Sequence, residues 1–169
     1  GGTGPGGGII FYDAHSIQSW GRYLEVAPSG WYGTANDPYL PWNANNGPLS
    51  GTSQDLGSGS ANTDLMTARD TSLGYGSTAA RAYGGNDGQS VGLWFLPSGD
   101  ELATMLSYFR VTNSVGLNVG GDYLSSLFYA GNYVSTIRQN TGGWYYSNWG
   151  YVRPIRALDR KSTRLNSSH

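Results

Sequence analysis

Apolar positions along this chain change period twice. They come in short blocks up to residue 27, recur at helical spacing between residues 62 and 109, and return to short blocks from residue 123. The first block, Ile9-Ile10-Phe11-Tyr12, follows a glycine-rich lead-in over 1–8 and has β character. Residues 13–21 are polar and read as a turn. Arg22-Tyr23-Leu24-Glu25-Val26-Ala27 alternates apart from the Tyr23-Leu24 pair, so it reads as a second strand closing a hairpin with the first. Residues 28–59 are loop-rich and hold Trp31, Tyr32, Tyr39 and Trp42. A loop this long in a compact domain is expected to be structured and to carry function.

Three short helices follow. The first spans 62–69, with Asn62 or Thr63 as N-cap and Leu65, Met66 and Arg69 after it. The second spans 77–83, capped by Ser77 and stopped by Gly84-Gly85. The third opens on a capping box, Ser98 with Glu101, and puts Leu102, Met105, Leu106 and Phe109 on one face. Just before it, Leu93-Trp94-Phe95-Leu96 reads as a buried strand-like run ended by Pro97. Beyond Phe109 the candidate strands are 123–126, 133–137, 144–146 and 151–158, joined by turns at Gly120-Gly121, Gly131-Asn132 and 140–143. Strands, then helices, then strands predict an α+β domain with short antiparallel sheets, two or three short helices and long structured loops. Its two ends are free to meet in one sheet. No internal repeat stands out.

Composition sharpens this picture. Charged residues make up 12% of the chain, about half the usual share, yet 14% is aromatic, with 13 Tyr and 6 Trp. Disordered chains lack aromatics, so the low charge belongs to a folded domain. The 27 Gly supply turns, and 169 residues suffice for one domain with a real core. There is no Cys, which excludes disulfides, thiolate metal sites and cysteine nucleophiles. No apolar run approaches the roughly 18 residues of a membrane span, so membrane insertion is not expected.

The last stretch, Asp-Arg-Lys-Ser-Thr-Arg-Leu-Asn-Ser-Ser-His over 159–169, matches the in-frame translation of a common short-read sequencing adapter codon for codon. It is read as a non-native tail beyond a domain spanning 1–158; the other reading is a flexible polar tail, and neither carries fold information. Setting aside three of the 10 basic residues (Arg160, Lys161, Arg164) and one of the 11 acidic ones (Asp159) moves the formal net charge from -1 to about −3. That balance argues against nucleic acid as a partner.

Most chemical motifs weigh little. Gly2-x-Gly4-x-x-Gly7 matches the dinucleotide fingerprint as text, but it precedes a strand instead of joining a strand to a helix. Asp13, His15 and Ser16 are too close in sequence for a catalytic triad, and His15 is the only histidine outside the tail. Asp100 and Glu101 suit the first turn of a helix better than a glycosidase pair. Asn86-Asp87-Gly88 and Trp42-Asn43-Ala44-Asn45-Asn46 offer oxygen ligands for a structural calcium ion, without EF-hand spacing; ordinary Asx turns are the other reading, and no cofactor is expected. No convergent acid, base and nucleophile set is visible, so no enzyme is expected.

The suggestive group lies late. Trp144-Tyr145-Tyr146-Ser147-Asn148-Trp149 joins Tyr129, Asn132 and Tyr133 in a stretch rich in rigid aromatics and small polar residues. The candidate ligand-binding residues are Tyr129, Asn132, Tyr133, Arg138, Trp144, Tyr145, Asn148 and Trp149. Tyr and Trp faces stack on sugar rings. Alternate residues such as Trp144 and Tyr146 pointing into the core is the other reading. A polyanionic ligand would need Arg110 and Arg138 to cluster.

Three stretches carry a family likeness: 4–12 continuing to 23–28, Trp94-Phe95-Leu96-Pro97-Ser98-Gly99-Asp100-Glu101-Leu102, and Tyr151-Val152-Arg153-Pro154-Ile155-Arg156-Ala157-Leu158. In this order they resemble the opening hairpin, strand-to-helix signature and closing strand of the Lcl C-terminal domain family, a bacterial surface-protein domain of C-type-lectin-like fold. Tyr123-Leu124-Ser125-Ser126 stands where that family commonly has Tyr-Trp-Ser-Ser. The calcium-dependent sugar motifs of animal C-type lectins, Glu-Pro-Asn or Gln-Pro-Asp with Trp-Asn-Asp, are absent. The resemblance implies an exported bacterial recognition or adhesion module at the end of a longer polypeptide, extracellular or on the cell surface. Its expected ligand is a glycan or other polymer, held by the late loops. A protein-recognition domain, of phage receptor-binding or hypervariable type, and a structural cap are the other expectations. At least one of Arg153 and Arg156 is expected to pair with Asp100 or Glu101.

Overall fold

A computed structural model of the chain describes residues 1–43, 47–70 and 72–161. The N-terminal hairpin forms as expected from β1 (Ile9–Gln18) and β2 (Gly21–Val26). Residues 13–18, expected in a turn, continue β1. Their side chains lie largely in solvent at the sheet edge, so polarity does not oppose pairing, and the Arg22 Nε donates across the hairpin to Asp13 at 2.8 Å. The register slips between Asp13 and Gln18, where His15 takes a φ of 66°. β8 (Ile155–Leu158) pairs with β2, so both ends of the domain share one sheet in the order β1-β2-β8.

The glycine-rich lead-in is pinned to this sheet. Gly6 and Gly8 N–H groups donate to the two carboxylate oxygens of buried Glu25 at 3.1 and 2.8 Å. A Cβ on Gly8 would sit 1.6 Å from the Val26 carbonyl oxygen, so only glycine fits there. The loop amides do hold an acidic group, but that group is the chain's own Glu25 carboxyl.

Three helices cover the middle of the chain: α1 (Gly59–Arg69), α2 (Gly76–Ala82) and α3 (Gly99–Phe109). Two expected caps are corrected. Asn62 lies inside α1 and exchanges side-chain hydrogen bonds with the Ser53 backbone at 2.8 and 2.9 Å, and Thr63 donates to the Gly59 carbonyl. Ser77 donates to the Trp42 carbonyl at 2.9 Å, so it ties α2 to the loop instead of capping it. α3 keeps its predicted capping box, with Ser98 N–H to Glu101 at 2.7 Å and Glu101 N–H to Ser98 at 3.2 Å. Leu102, Met105, Leu106 and Phe109 are all fully buried, as the spacing predicts.

The run before α3 is buried from Trp94 onward, while Leu93 is exposed; it forms one bridge, Phe95 with Ile155, and no longer strand. The expected strand over 151–158 is broken in two. β7 (Trp149–Tyr151) belongs to one sheet and β8 to the other, with Val152-Arg153-Pro154 crossing between them. Pro154 has no N–H to donate to a continuing ladder.

The second sheet has the order β3-β7-β4-β5-β6. It comprises β3 (Tyr39–Pro41), within the long loop, β7, β4 (Asp122–Ala130), β5 (Tyr133–Arg138) and β6 (Trp144–Ser147). Pairs are antiparallel except the single β4–β7 contact, Tyr123 with Tyr151. β4 over 123–126 and β5 over 134–137 are buried on both faces. Tyr123 and Ile137 join the cluster under α3 with Leu24, Phe95 and Ile155, while Leu124 and Val134 join Trp42, Met66, Leu96 and Val152. The fold is therefore α+β with antiparallel and mixed sheets. Among the described residues no helix is long and apolar enough to cross a membrane.

Arg153 does not reach Asp100 or Glu101. It forms a buried ion pair with Asp37 at 2.8 Å and donates to the carbonyls of Ala27, Val115 and Gly116 at 3.1, 2.7 and 3.3 Å. Asp37 also accepts the Trp31 indole N–H at 2.9 Å and the Tyr123 hydroxyl. Burial first, then the Asp37 carboxylate, pushes the Tyr123 hydroxyl far above its ordinary pKa, so it stays a donor. Arg156 faces Glu25 across the β2–β8 ladder and lies over the Trp94 ring at 5.5 Å. Glu101 instead takes backbone amides of Ser98 and Gly57, which fills the role an arginine was expected to play.

Candidate functional site

The β4–β5 hairpin positions the first aromatic group. Phe128 pairs with Val134 and Ala130 with Tyr133, so Tyr129 is the extra residue of a bulge. A bulge re-aims its side chain, and the Tyr129 ring lies flat on Tyr146, with centroids 4.6 Å apart and planes 10° apart. Tyr133 also packs on Tyr146, with ring centroids 5.6 Å apart and planes at 53°.

The β5–β6 register, Ser135 with Tyr146 and Ile137 with Trp144, puts Trp144 and Tyr146 on the face shared with Tyr133. Trp144 lies over the start of α3, where a Cβ on Gly99 would come within 2.9 Å of its ring. Tyr145 points to the opposite face beneath Arg138, whose guanidinium sits 4.4 Å from the ring centre. Arg138 also makes two hydrogen bonds to Asp122, at 2.8 and 3.1 Å, and that partner raises the guanidinium pKa further.

Tyr129, Tyr133, Trp144, Tyr145, Tyr146 and Trp149 keep between 40% and 58% of their surface in solvent. The reading of Trp144 and Tyr146 as core residues is thereby set aside. β6 is an edge strand, hydrogen-bonded to β5 alone.

The eight sequence-derived residues divide into separate places. Tyr129 and Tyr133 join Tyr146, and Trp144 extends their face. Tyr145 and Arg138 lie on the other face. Asn132 is half-buried, and its carbonyl accepts the Trp42 indole N–H at 2.7 Å, a scaffold role. Asn148 is the single residue between β6 and β7, and its carbonyl accepts the Trp42 N–H at 3.1 Å. Trp149 stacks on Tyr39, with centroids 6.0 Å and planes 23° apart. Asn148 and Trp149 line a groove of about 530 Å³ whose other wall is Leu73, Gly74 and Tyr75. Arg110 and Arg138 do not form a free basic patch, because Arg110 donates to the Gln139 carbonyl and Arg138 is held by Asp122.

Tyr146 is the centre of the aromatic stack, although the sequence reading placed it outside the ligand-binding set. A second groove of about 360 Å³, walled by Trp31, Tyr32 and Tyr83, was also missed. The Trp31-Tyr32 pair in the long loop was the available signal.

The other motifs resolve into structure. Asp13 is engaged by Arg22, Ser16 accepts a hydrogen bond from Gln18, and His15 Nδ1 lies 3.6 Å from Asp13, so these residues do not converge as a triad. Asp87 accepts the Gln89 and Ser90 N–H groups and the Ser90 hydroxyl, an Asx turn; these bonds, led by Gln89, lower its pKa. Of the other calcium candidate, residues 44–46 lie outside the described residues. No group of three or more His, Asp or Glu side chains that could hold a metal ion occurs among the described residues.

No protein-family model matches the chain, and no curated protein matches it.

Proposed function

We propose that this chain is a non-catalytic recognition domain of C-type-lectin-like fold, related to the Lcl C-terminal domain family, and that it binds an extracellular glycan at a bacterial cell surface. The observation that carries this reading is the run of six large aromatic side chains between residues 129 and 149 that folding leaves exposed. Isolated exposed apolar residues are ordinary, but the Tyr129–Tyr146 stack, with Tyr133 and Trp144 on the same face, forms a rigid surface that loses little entropy when a ligand lands on it. Tyr hydroxyls and indole N–H groups at the ring edges add donors for sugar hydroxyls.

The fold reading draws support from three features. The terminal strands share a small sheet, α3 packs on the joint core, and the long loop-rich region contributes the edge strand β3 to the second sheet. The resemblance of the three sequence stretches adds the family and the location.

The test is binding of the full chain to a broad glycan array, with and without calcium, alongside Trp144→Ala and Tyr146→Ala. The proposal expects binding that survives chelation and is lost in the folded variants. A well-folded chain that binds no glycan overturns it and moves the reading to a protein ligand.

A further inference from the structure

Two grooves adjoin at Leu73 and Gly74, one running along α2 and the other reaching the N-terminal cap of that helix. One is walled by Trp149 and Asn148 and reaches Tyr75 at the start of the helix; the other is walled by Trp31, Tyr32 and Tyr83 at its end, and both include Leu73 and Gly74. Their volumes, about 530 and 360 Å³, each fall within the roughly 300–1,000 Å³ of ligand sites. From Tyr75 to Tyr83 the helix and its caps advance roughly 12 Å, and the second groove continues beyond Tyr75 to Trp149, so the combined surface exceeds one sugar ring.

The chemistry of its walls is specific in one respect. None of the described residues lining either groove is charged. An uncharged, aromatic-walled trough gives no counter-charge to a sulfate, carboxylate or ammonium group, and would strip water from it at a cost. Its polar hydroxyl and amide side chains are Tyr32, Asn43, Tyr75, Thr78, Tyr83 and Asn148.

The walls are also held in place from behind. Trp31 donates to the Asp37 of the buried ion pair, and its ring meets Tyr32 at 5.2 Å and Tyr83 at 5.6 Å; Tyr83 in turn abuts buried Trp94 at 4.9 Å. At the other end Tyr39 backs Trp149. Such fixed rings suit repeated stacking on successive sugars.

Resting on the glycan reading above, we infer that the ligand is an internal stretch of a neutral, linear polysaccharide lying along α2 from Trp149 to Tyr32. The trough selects against polyanions by offering them no cation.

The experiment is calorimetric titration of the full chain with soluble neutral glucans, mannans, xylans and galactans and their oligomers of one to six units, with heparin as the charged comparator. Affinity should rise at least about tenfold from one unit to four, and stay within about twofold between 0.05 and 0.5 M NaCl, as uncharged partners require. Ala82→Trp, which fills the trough from an exposed helix position, and Tyr32→Ala, which removes one wall, should each lose at least about tenfold while Tm holds. Having both variants guards against one of them misfolding. Preference for heparin, no gain with chain length, or full affinity in folded groove variants overturns the inference. If those variants bind normally while Tyr146→Ala does not, the trough assignment alone fails. If no glycan of any charge binds, the underlying reading fails with it.

Discussion

Replacing Arg153 by Ala should be among the most damaging single changes in this domain. The guanidinium is about 1% exposed and makes four hydrogen bonds, one to Asp37 and three to carbonyls of Ala27, Val115 and Gly116. Removing it leaves the Asp37 carboxylate buried with only the Trp31 and Tyr123 donors, and strands most of those carbonyls. Breaking a buried pair from one side costs about 3–5 kcal/mol. At roughly 2–4 °C per kcal/mol for a domain of this size, Tm should fall by roughly 6–20 °C. Differential scanning calorimetry of the two proteins reads this directly. A cycle of Arg153→Met, Asp37→Leu and the double variant Arg153→Met/Asp37→Leu should show the double more stable than the sum of the singles by at least about 2 kcal/mol. A Tm within about 2 °C of the parent, or strict additivity, would refute the placement of this pair at the centre of the fold.

Other expectations follow from single contacts. Burial is the main reason the Glu25 carboxyl sits above its ordinary pKa, against the opposing pull of the Gly8 and Gly6 amides and Arg156. The native state therefore holds that proton longer than the unfolded chain, and stability present below the ordinary value of about 4.3 is lost as pH rises through the folded value. Glu25→Gln should make the fall of stability between pH 4 and 7 shallower in denaturant titrations; parallel slopes would exclude Glu25 as the cause. Ser98→Ala opens the α3 capping box at a cost of about 1–2 kcal/mol, a Tm loss of roughly 2–8 °C; an unchanged melting curve would show the cap to be idle. Gly8→Ala places a methyl into the Val26 carbonyl, so β1 and β2 must part and Tm should drop by more than 6 °C, about 3 kcal/mol or more; a folded variant with parental Tm would contradict that close approach.

Local features were legible in the sequence and long-range ones were not. The α3 cap needs only Ser98 and Glu101, three residues apart, and its buried face repeats at helical spacing, so both could be read from text. The first hairpin was legible in the same way, although its polar half was mistaken for a turn because edge positions tolerate polarity. β3 is three residues long and ends in Pro41, too short for a periodic signal. The Arg153 partner lies 116 residues away in the long loop, and nothing near Arg153 distinguishes Asp37 from Asp100 or Glu101.

The candidate site divides along the same line. Six aromatics in one late stretch were visible as composition. Which of them share a face depends on the β5–β6 register, and the turn of Tyr129 onto Tyr146 depends on a bulge that no pattern announced. The trough needed the long loop folded against α2, which brings Trp31 and Tyr32 beside Tyr83.

The most direct test of glycan binding through the exposed late aromatics is side-chain mapping by NMR. Isotope-labelled full chain would be titrated with the strongest array ligand while aromatic ring resonances are followed. Shifts concentrated on Tyr129, Tyr133, Trp144, Tyr146 and Trp149, and on Trp31, Tyr32 and Tyr83 where the polysaccharide continues into the trough, are the predicted result. Saturable binding that leaves those rings unmoved and shifts others instead would contradict the account.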